Sequence, residues 1–262
     1  YGIELFNLLP NMIYIFEDSE WSFTGEHKDT VYEWTYNAFI PLVYKGAFMD
    51  MVRGRTVSRP TEFDFRKGHE LTRNLLLIAE FAPEETAKDL KSIAKLYIES
   101  NDQWEFFERN PFIYNLELVE KVMSDDTIEA KTVEPYSHVF AMMDRAAHLR
   151  EDYAFGISMH SERVYNYESI NNENKQGWFT SDGMTYLYNG DTAHYASNYW
   201  PTVDKYRLPG TTVVRSERAN SSGQSTASSA SWAGGSELGG IYSTVGMELD
   251  AYGKTLAAKK SW

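Results

Sequence analysis

Cysteine is absent from this sequence of 262 residues. Its absence excludes disulfide bonds, thiolate-bound zinc, iron–sulfur clusters and a cysteine nucleophile. It leaves the cellular compartment open, because many secreted bacterial proteins also lack cysteine. A chain of this length buries roughly 75% of the surface that its unfolded form exposes, so it can build a stable core without cross-links.

Long apolar runs are missing as well. No stretch approaches the ~20 apolar residues that a membrane-spanning helix needs, and no signal peptide is visible. The sequence opens on Tyr1-Gly2 rather than on methionine, and it ends on Lys-Lys-Ser-Trp in a strand-like pattern. We therefore expect an excised piece of a longer protein, in which missing targeting signals carry no information.

Basic residues are scarce relative to acidic ones. Lys and Arg total 25 against 38 Asp and Glu, which gives a formal net charge of −13. A chain this acidic is poorly suited to binding nucleic acid or an anionic membrane. The sequence also lacks a phosphate-binding loop and the GxSxG and HExxH motifs, and its 6 histidines show no metal-ligand spacing.

Aromatic residues, in contrast, are abundant. They make up 15% of the chain, with 18 tyrosines and 7 tryptophans. Because pyranose rings present flat C–H faces that stack on aromatic rings, this excess suits a sugar-binding surface. An aromatic-rich β core is the alternative explanation.

Helical periodicity characterises the first half of the chain, up to about residue 132. Apolar residues recur at spacings of three and four, and Pro83 suits the start of a helix. No repeat of fixed period is visible. Paired amphipathic helices joined by short polar turns predict an array or toroid of helical hairpins. The predicted helical segments are 5–16, 31–42, 71–78, 87–98 and 116–123.

After about residue 133 the periodicity changes to that of β-strands. Aromatic and branched residues alternate with turn signals such as Asn189-Gly190-Asp191. A Ser-, Gly- and Ala-rich stretch, 216–235, predicts an exposed, mobile loop. Helices followed by strands predict two domains, 1–132 and 133–262. The predicted strands are 136–143, 153–159, 161–167, 184–189 and 241–249.

Three arginines lie close together in this acidic chain. Arg53, Arg55 and Arg59 share one short segment, and Gly54 lets the backbone turn between the first two. A planar guanidinium binds a carboxylate through two parallel hydrogen bonds, so the segment could clamp a carboxylate-bearing substrate. The alternative is ion pairing within the chain, to Asp50, Glu62 or Asp64.

A loop rich in acid and amide side chains runs from Tyr165 to Trp178. Such side chains bind sugar hydroxyls, although a single asparagine more often forms an ordinary Asx turn. A pair of carboxylates for glycoside hydrolysis is a further alternative, since acidic residues are plentiful.

Several longer runs form a recognisable pattern. They are 45–55, 58–59, 143–145, 174–189 and 199–212, together with Tyr1-Gly2. The pattern resembles polysaccharide lyase family 8, which comprises hyaluronate, chondroitin AC and xanthan lyases. The resemblance extends through almost the whole chain, and its two longest runs, NKQGWFTSDGMTYLYN and YWPTVDKYRLPGTT, are highly specific.

The resemblance implies an α+β multidomain fold, an α/α toroid followed by an antiparallel β-sandwich. Residues 1–132 would be the second part of the toroid catalytic domain, and 133–262 the beginning of the sandwich. The expected protein is bacterial and secreted. Its expected partners are an acidic polysaccharide and the rest of its own polypeptide, including an upstream catalytic histidine and asparagine. No cofactor or metal ligand is implied for the chemistry, and a structural calcium ion is allowed.

Five site residues follow from the same resemblance. The catalytic tyrosine falls on Tyr1 and the two substrate-side arginines on Arg55 and Arg59, while a substrate-binding glutamate–asparagine pair falls on Glu168 and Asn171. The family cleaves the bond at O4 of a uronic acid by β-elimination. A tyrosine can act as both base and acid if its pKa, near 10 when unperturbed, is lowered. A close guanidinium favours the phenolate, which gives this role to Arg55 and leaves Arg59 to hold substrate charge.

Within the family, several segments are most similar to the xanthan lyases. We therefore predict cleavage of xanthan at O4 of glucuronic acid. Pro60-Thr61 stands where xanthan-cleaving members have Ser-Tyr, so hyaluronate and chondroitin are alternative substrates. A carbohydrate-binding fragment without turnover is the alternative of another class. The similar segments are 42–47, 81–83, 167–171, 206–209 and 231–235.

Overall fold

The computed structural model describes residues 1–61, 63–103, 106, 112–196, 198–224, 232–251 and 255–262. The chain forms two compact units. The helical unit consists of Tyr1–Phe48 and Asp64–Val133, and the β unit consists of Met49–Phe63 and Glu134–Trp262. In the described part of the chain, no helix combines the length and the apolar character needed to cross a bilayer.

All five predicted helical segments form helices. Pro83 directly precedes α4, as expected. The second segment is only partly α-helical, because α2 passes into a π-helical turn, Thr35–Phe39, and a 3₁₀ turn, Ile40–Leu42. Pro41 lacks the N–H that a continuing helix would need. The helices are α1 (Gly2–Phe16), α2 (Gly25–Trp34), α3 (Asp64–Ala79), α4 (Glu84–Glu99) and α5 (Ile113–Met123).

The α3 helix is the centre of the helical unit. It packs against α1, α4 and α5, and most of its residues are buried. A short ladder of β1 (Val43–Tyr44) and β2 (Ala47–Phe48) precedes it. A Cβ on Gly68 would lie 1.7 Å from the carbonyl oxygen of Gly46, so only glycine lets α3 approach this turn.

Two antiparallel sheets make up the β unit, which confirms the predicted change from helices to a sandwich of strands. Strands within each sheet follow one another in sequence order. Their facing sides share an apolar core that includes Ile157, Met159, Met247 and Leu249. The strands are β3 (Tyr136–Phe140), β4 (Arg145–Leu149), β5 (Ala154–Ser158) and β6 (Met184–Tyr188) in one sheet, and β7 (Ala233–Leu238), β8 (Tyr242–Ala251) and β9 (Leu256–Ser261) in the other.

Four of the five predicted strands are confirmed, and the strand-like pattern at the end of the chain belongs to β9. The predicted strand 161–167 is wrong, since this segment is irregular. Its polar groups bind the β3–β4 turn instead: the Ser161 hydroxyl donates to Asp144 Oδ2 at 2.6 Å, and Arg163 Nη2 lies 2.9 Å from Asp144 Oδ1.

The predicted loop 216–235 needs a correction at its end, because Ala233, Gly234 and Gly235 begin β7. A Cβ on Gly235 would lie 2.3 Å from the Thr244 carbonyl oxygen, so this glycine serves close strand pairing rather than a loop. Residues 225–231 of the predicted loop lie outside the described residues.

Residues 49–63 belong to the β unit although helical segments flank them in sequence. Asp50 anchors them. Its backbone N–H donates to the Tyr188 hydroxyl at 2.8 Å, and its Oδ2 accepts the indole N–H of Trp200 at 2.5 Å. Trp200 lies in the short helix α6 (Tyr199–Thr202). Arg145 adds a hydrogen bond from Nε to the Met51 carbonyl oxygen at 3.1 Å.

Candidate active site

The two predicted substrate-side arginines lie at one 3₁₀ turn of the β unit, Gly54–Ser58, and at the residue that follows it. Gly54 makes the turn feasible. Its φ is +57°, in the left-handed region, and a Cβ there would lie 2.8 Å from Glu168 Oε2. Glycine is therefore required twice, for the backbone angle and for the approach of the glutamate.

Opposite this turn lies the loop that follows residue 165. Asn171, Asn172 and Asn174 all have positive φ values, which asparagine tolerates better than most residues. The Asn174 side chain donates to the Glu168 carbonyl oxygen at 2.9 Å, and the Asn174 backbone N–H donates to Ser58 Oγ at 2.8 Å. These bonds close the loop and fasten it to the turn.

Four charged side chains meet between the turn and the loop. Arg55 binds both glutamates, with Nη1 2.5 Å from Glu168 Oε1 and Nε 2.8 Å from Glu173 Oε2. Arg59 binds Glu173, with Nε 2.6 Å from Oε1 and Nη2 3.3 Å from Oε2. Glu173 thus bridges the two arginines, and the cluster holds two positive and two negative charges.

Electrostatics in the cluster favour the charged forms of Glu173 and Arg55. The hydrogen bond from Arg59, and then that from Arg55, lowers the pKa of Glu173 despite slight desolvation. For Arg55, desolvation lowers the pKa, but the charges and hydrogen bonds of Glu168 and Glu173 outweigh it and raise the pKa. The cluster stays partly open, because 38% of the Arg59 side chain and 41% of the Glu168 side chain are exposed.

For Arg53, the alternative of ion pairing within the chain is confirmed. Arg53 forms a buried ion pair with Asp50 and so helps to hold the turn rather than to form the site. Glu62 lies outside the described residues, and Asp64 lies in the helical unit. Arg55 and Arg59 pair with Glu168 and Glu173 instead, more than a hundred residues later.

Three of the five residues assigned by resemblance come together here: Arg55, Arg59 and Glu168. Asn171 lies three residues beyond Glu168 in the same loop and is exposed. Tyr1 precedes α1 in the helical unit and is 96% exposed. Sequence reasoning gave no role to Glu173. The only signal was its place in a loop rich in acid and amide side chains, which did not distinguish it from its neighbours.

Two pockets of the β unit adjoin the turn. One has a volume of about 530 Å³, and its lining includes Gly54, Arg145 and Glu168. The other has a volume of about 480 Å³, and its lining includes Ser58 and Asn174. Both volumes fall within the usual range for small-ligand pockets. Across the described ranges, no group of three or more histidines and acids is arranged to hold a metal ion.

Two family models match the chain. The model for polysaccharide lyase family 8, N-terminal α-helical domain, matches residues 1–96. The model for polysaccharide lyase family 8, super-sandwich domain, matches residues 135–262. Together they account for most of the sequence and agree with its order of helices and strands.

Individual proteins are similar over the full chain. A xanthan lyase from Bacillus sp. (strain GL1) is 40% identical over 262 residues, and a hyaluronate lyase from Thermasporomyces composti is 36% identical over 266 residues. The chain spans 28% and 34% of their lengths. The structure of a Streptomyces coelicolor A3 chondroitin AC lyase with chondroitin sulphate superposes with a TM-score of 0.91 at 30% identity, over 100% of this chain and 37% of that one.

Proposed function

Because the chain belongs to polysaccharide lyase family 8, we propose that the protein containing it cleaves an acidic polysaccharide by β-elimination at O4 of a glucuronic acid residue. The observation that supports this most is the pair Arg55 and Arg59 on one turn, bridged by Glu173. Two guanidinium groups held side by side suit a substrate that carries carboxylates.

In the proposed reaction, Tyr1 acts as both base and acid. Its phenolate takes the proton from C5 of the uronic acid. The electrons of that C–H bond form the C4=C5 double bond as the bond from C4 to O4 breaks, and Tyr1 returns the proton to the leaving oxygen. The upstream histidine and asparagine that the resemblance implies would neutralise the uronate carboxylate, which makes the C5 proton more acidic.

In the proposed mechanism, the β-unit residues support this step by their charge and hydrogen-bonding groups. Arg55 favours the phenolate of Tyr1, and Glu168 and Glu173 fix the direction of the Arg55 guanidinium. Arg59 holds a substrate carboxylate. Glu168 and Asn171 bind sugar hydroxyls, for which the exposed part of Glu168 has further acceptor capacity. The chemistry itself calls for no cofactor, and a structural calcium ion remains part of the proposal.

Xanthan is the proposed polymer. In support, the xanthan lyase relative is 40% identical to this chain and the hyaluronate lyase relative 36% identical. Xanthan carries its cleavable mannose, often pyruvylated, on O4 of a side-chain glucuronate, whereas hyaluronate and chondroitin carry the glucuronate in the main chain. Since Thr61 is shorter than the tyrosine of xanthan-cleaving members, we propose a relaxed preference for the pyruvylated form. Hyaluronate and chondroitin are the second candidates.

The remainder of the polypeptide is the other proposed partner. Helix α1 exposes Leu5, Leu8, Met12 and Ile15. Because a patch of exposed apolar side chains marks an interaction surface, this supports the proposal that another part of the polypeptide covers the helix. A substrate of polymer size does not enter cells, which supports a secreted bacterial protein. We propose no nucleic acid or membrane partner, because the chain carries a net charge of −13.

An absorbance assay tests the proposal. We would incubate the longest natural protein that contains this chain with xanthan, hyaluronate and chondroitin side by side, and follow the ultraviolet absorbance of the conjugated C4=C5 uronate. Rapid release from xanthan and weak release from hyaluronate are expected. New reducing ends without ultraviolet absorbance would show a hydrolase, and binding without any product would show a carbohydrate-binding protein. Release from hyaluronate alone would overturn xanthan and leave the lyase mechanism intact.

A further inference from the structure

We propose that the 480 Å³ pocket beside the arginine turn is a second subsite, which binds the anionic group of a neighbouring sugar unit. The inference rests on the proposed function, because it assigns part of a substrate that is itself proposed. It extends that function from one recognised substrate charge, at Arg59, to two.

Positive charge without a carboxylate partner is the first supporting feature. Lys175 and Lys205 both line the pocket, and its described lining includes no acidic residue. Among the described residues neither lysine forms an ion pair with an acid, although the whole chain has 38 acidic and 25 basic residues. A low-dielectric wall lined by one sign of charge concentrates ligands of the opposite sign.

Lys205 is held in place rather than free to move. Its ammonium group donates to the Trp200 carbonyl oxygen at 2.6 Å and lies 4.9 Å from the centre of the Trp200 ring. Burial lowers its pKa to about 8, because it has lost water and gained no opposing charge. An incoming carboxylate or sulfate would supply that charge.

Amide side chains provide the polar surface that a sugar needs. Asn172, Gln176 and Asn220 line the pocket and are exposed, so their amide groups are available to sugar hydroxyls. Asn172 has a φ of 64°, part of the tight loop that also carries Glu173. The lysines therefore supply charge recognition, and the amides supply donors and acceptors.

The pocket adjoins the arginine cluster. Ser58 and Asn174 belong to its lining, and the Asn174 N–H donates to Ser58 Oγ at 2.8 Å. Ser58 precedes Arg59 directly, and Asn174 follows Glu173. A polymer with one charged unit at Arg59 would thus place an adjacent unit over this pocket. The matching chemistry is a sugar bearing the carboxylate of a pyruvate ketal or bearing a sulfate ester.

Charge-removing variants test the subsite. Lys175→Gln and Lys205→Gln are compared with Lys259→Gln, a control on β9 whose side chain is 86% exposed and paired with Glu248. The probes are pyruvylated and depyruvylated xanthan, and chondroitin sulfate and desulfated chondroitin. Lys205→Arg keeps the charge and is the rescue variant, and thermal melting establishes that each variant is folded.

We expect KM for the pyruvylated or the sulfated probe to rise about threefold in Lys175→Gln and about tenfold in Lys205→Gln, with kcat unchanged. KM for the matched depyruvylated or desulfated probe should stay constant, and Lys205→Arg should recover most of the loss. The probe pair that responds identifies a pyruvate carboxylate or a sulfate as the ligand. Equal effects on both members of a probe pair, or effects no larger than in Lys259→Gln, would overturn the subsite.

Failure of the proposed function would be seen separately. If the wild-type protein forms no unsaturated product from any probe, the lyase reaction is wrong. Calorimetric binding of the same four probes to the wild-type and variant proteins then decides the subsite by the same comparison. Weaker binding of the pyruvylated or the sulfated probe alone to both lysine variants would support it, and unchanged binding would overturn it.

Discussion

Glu173 is the residue that turns two separate arginines into one unit. Its carboxylate accepts hydrogen bonds from Arg55 Nε and from Arg59 Nε and Nη2. Charge-assisted hydrogen bonds of this kind are stronger and more directional than neutral ones. Because both guanidinium groups share one acceptor, the distance between them is set by Glu173 and not by two flexible side chains.

We expect Glu173→Gln to lower kcat/KM about tenfold, mostly through KM. The amide keeps the shape of the side chain but removes the charge that aligns Arg59. Thermal stability should change little, since partly exposed ion pairs contribute only about 0.2–1 kcal/mol. Glu248→Gln, an acid on β8 paired with Lys259, is the matched control. Unchanged kinetics in Glu173→Gln would show that the arginines hold their positions without it.

Tyr1→Phe should abolish turnover and leave substrate binding nearly intact. The ring remains, but the oxygen that transfers the proton in the proposed mechanism is lost. General acid–base groups contribute about 10²–10⁴-fold to rate, so the unsaturated product should form at under a hundredth of the wild-type rate. Binding is measured by calorimetry with xanthan. A variant that keeps more than a tenth of the wild-type rate would remove Tyr1 from the mechanism.

Substitution of the two arginines should affect different kinetic constants. Arg55→Ala should mainly lower kcat, because the proposed mechanism uses Arg55 to favour the phenolate during proton transfer. Arg59→Ala should mainly raise KM, because the same mechanism uses Arg59 to hold substrate throughout. Arg207→Ala, an exposed arginine of the β unit paired with Asp204, controls for loss of charge. If both variants are less stable but their folded fraction has normal kinetics, the arginines serve only as ion-pair partners.

At the scale of elements, sequence patterns predicted the helices better than the strands, and only some of the site residues. Periodicity predicted the helices because their buried faces repeat along the chain. It missed β4, which contains Arg145 and His148, and β7, which is rich in glycine, because pairing rather than composition defines those strands. The resemblance indicated Arg55, Arg59 and Glu168. Glu173 could not be predicted, since its partners lie 114 and 118 residues away.

The 3₁₀ turn that carries the arginines depends on Gly54, and Gly54→Ala tests this. The variant should lose about 1–3 kcal/mol of stability from the strained left-handed angle and lower kcat, because its Cβ would displace Glu168 from Arg55. Melting and the absorbance assay measure the two effects. Gly190→Ala is the control, since among the described residues no atom lies within 4 Å of a Cβ built there. Equal behaviour of the two variants would contradict this role.

At the scale of the whole molecule, the placement of the arginine segment depends on distant sequence. Asp50 binds Tyr188 and Trp200, which follow it by 138 and 150 residues. No local pattern around Asp50 reveals partners so far along the chain. The segment that carries the arginines is therefore held by distant residues of the β unit, although helical segments surround it in the sequence.

The helical unit carries its own pH dependence through His69. This side chain is 5% exposed, and the Asn101 side-chain amide donates to its Nε2, an arrangement that requires a neutral ring. Burial, and then the charge of Arg73, lowers the pKa of His69 from 6.5 to about 3. Between these pH values the unfolded chain binds a proton that the folded chain does not, so stability is lost as pH falls from about 6.5 towards 3.

Lowering the pH from 7 to 5 should therefore cost about 2 kcal/mol of unfolding free energy through this one residue. We would measure urea denaturation at both pH values for the wild-type protein and for His69→Gln, whose amide oxygen can still accept from Asn101. The variant should lose about 2 kcal/mol less than the wild type between the two pH values. His27→Gln, at an exposed histidine of α2, should behave like the wild type. Equal losses in the wild type and His69→Gln would show that His69 accepts a proton in the folded state.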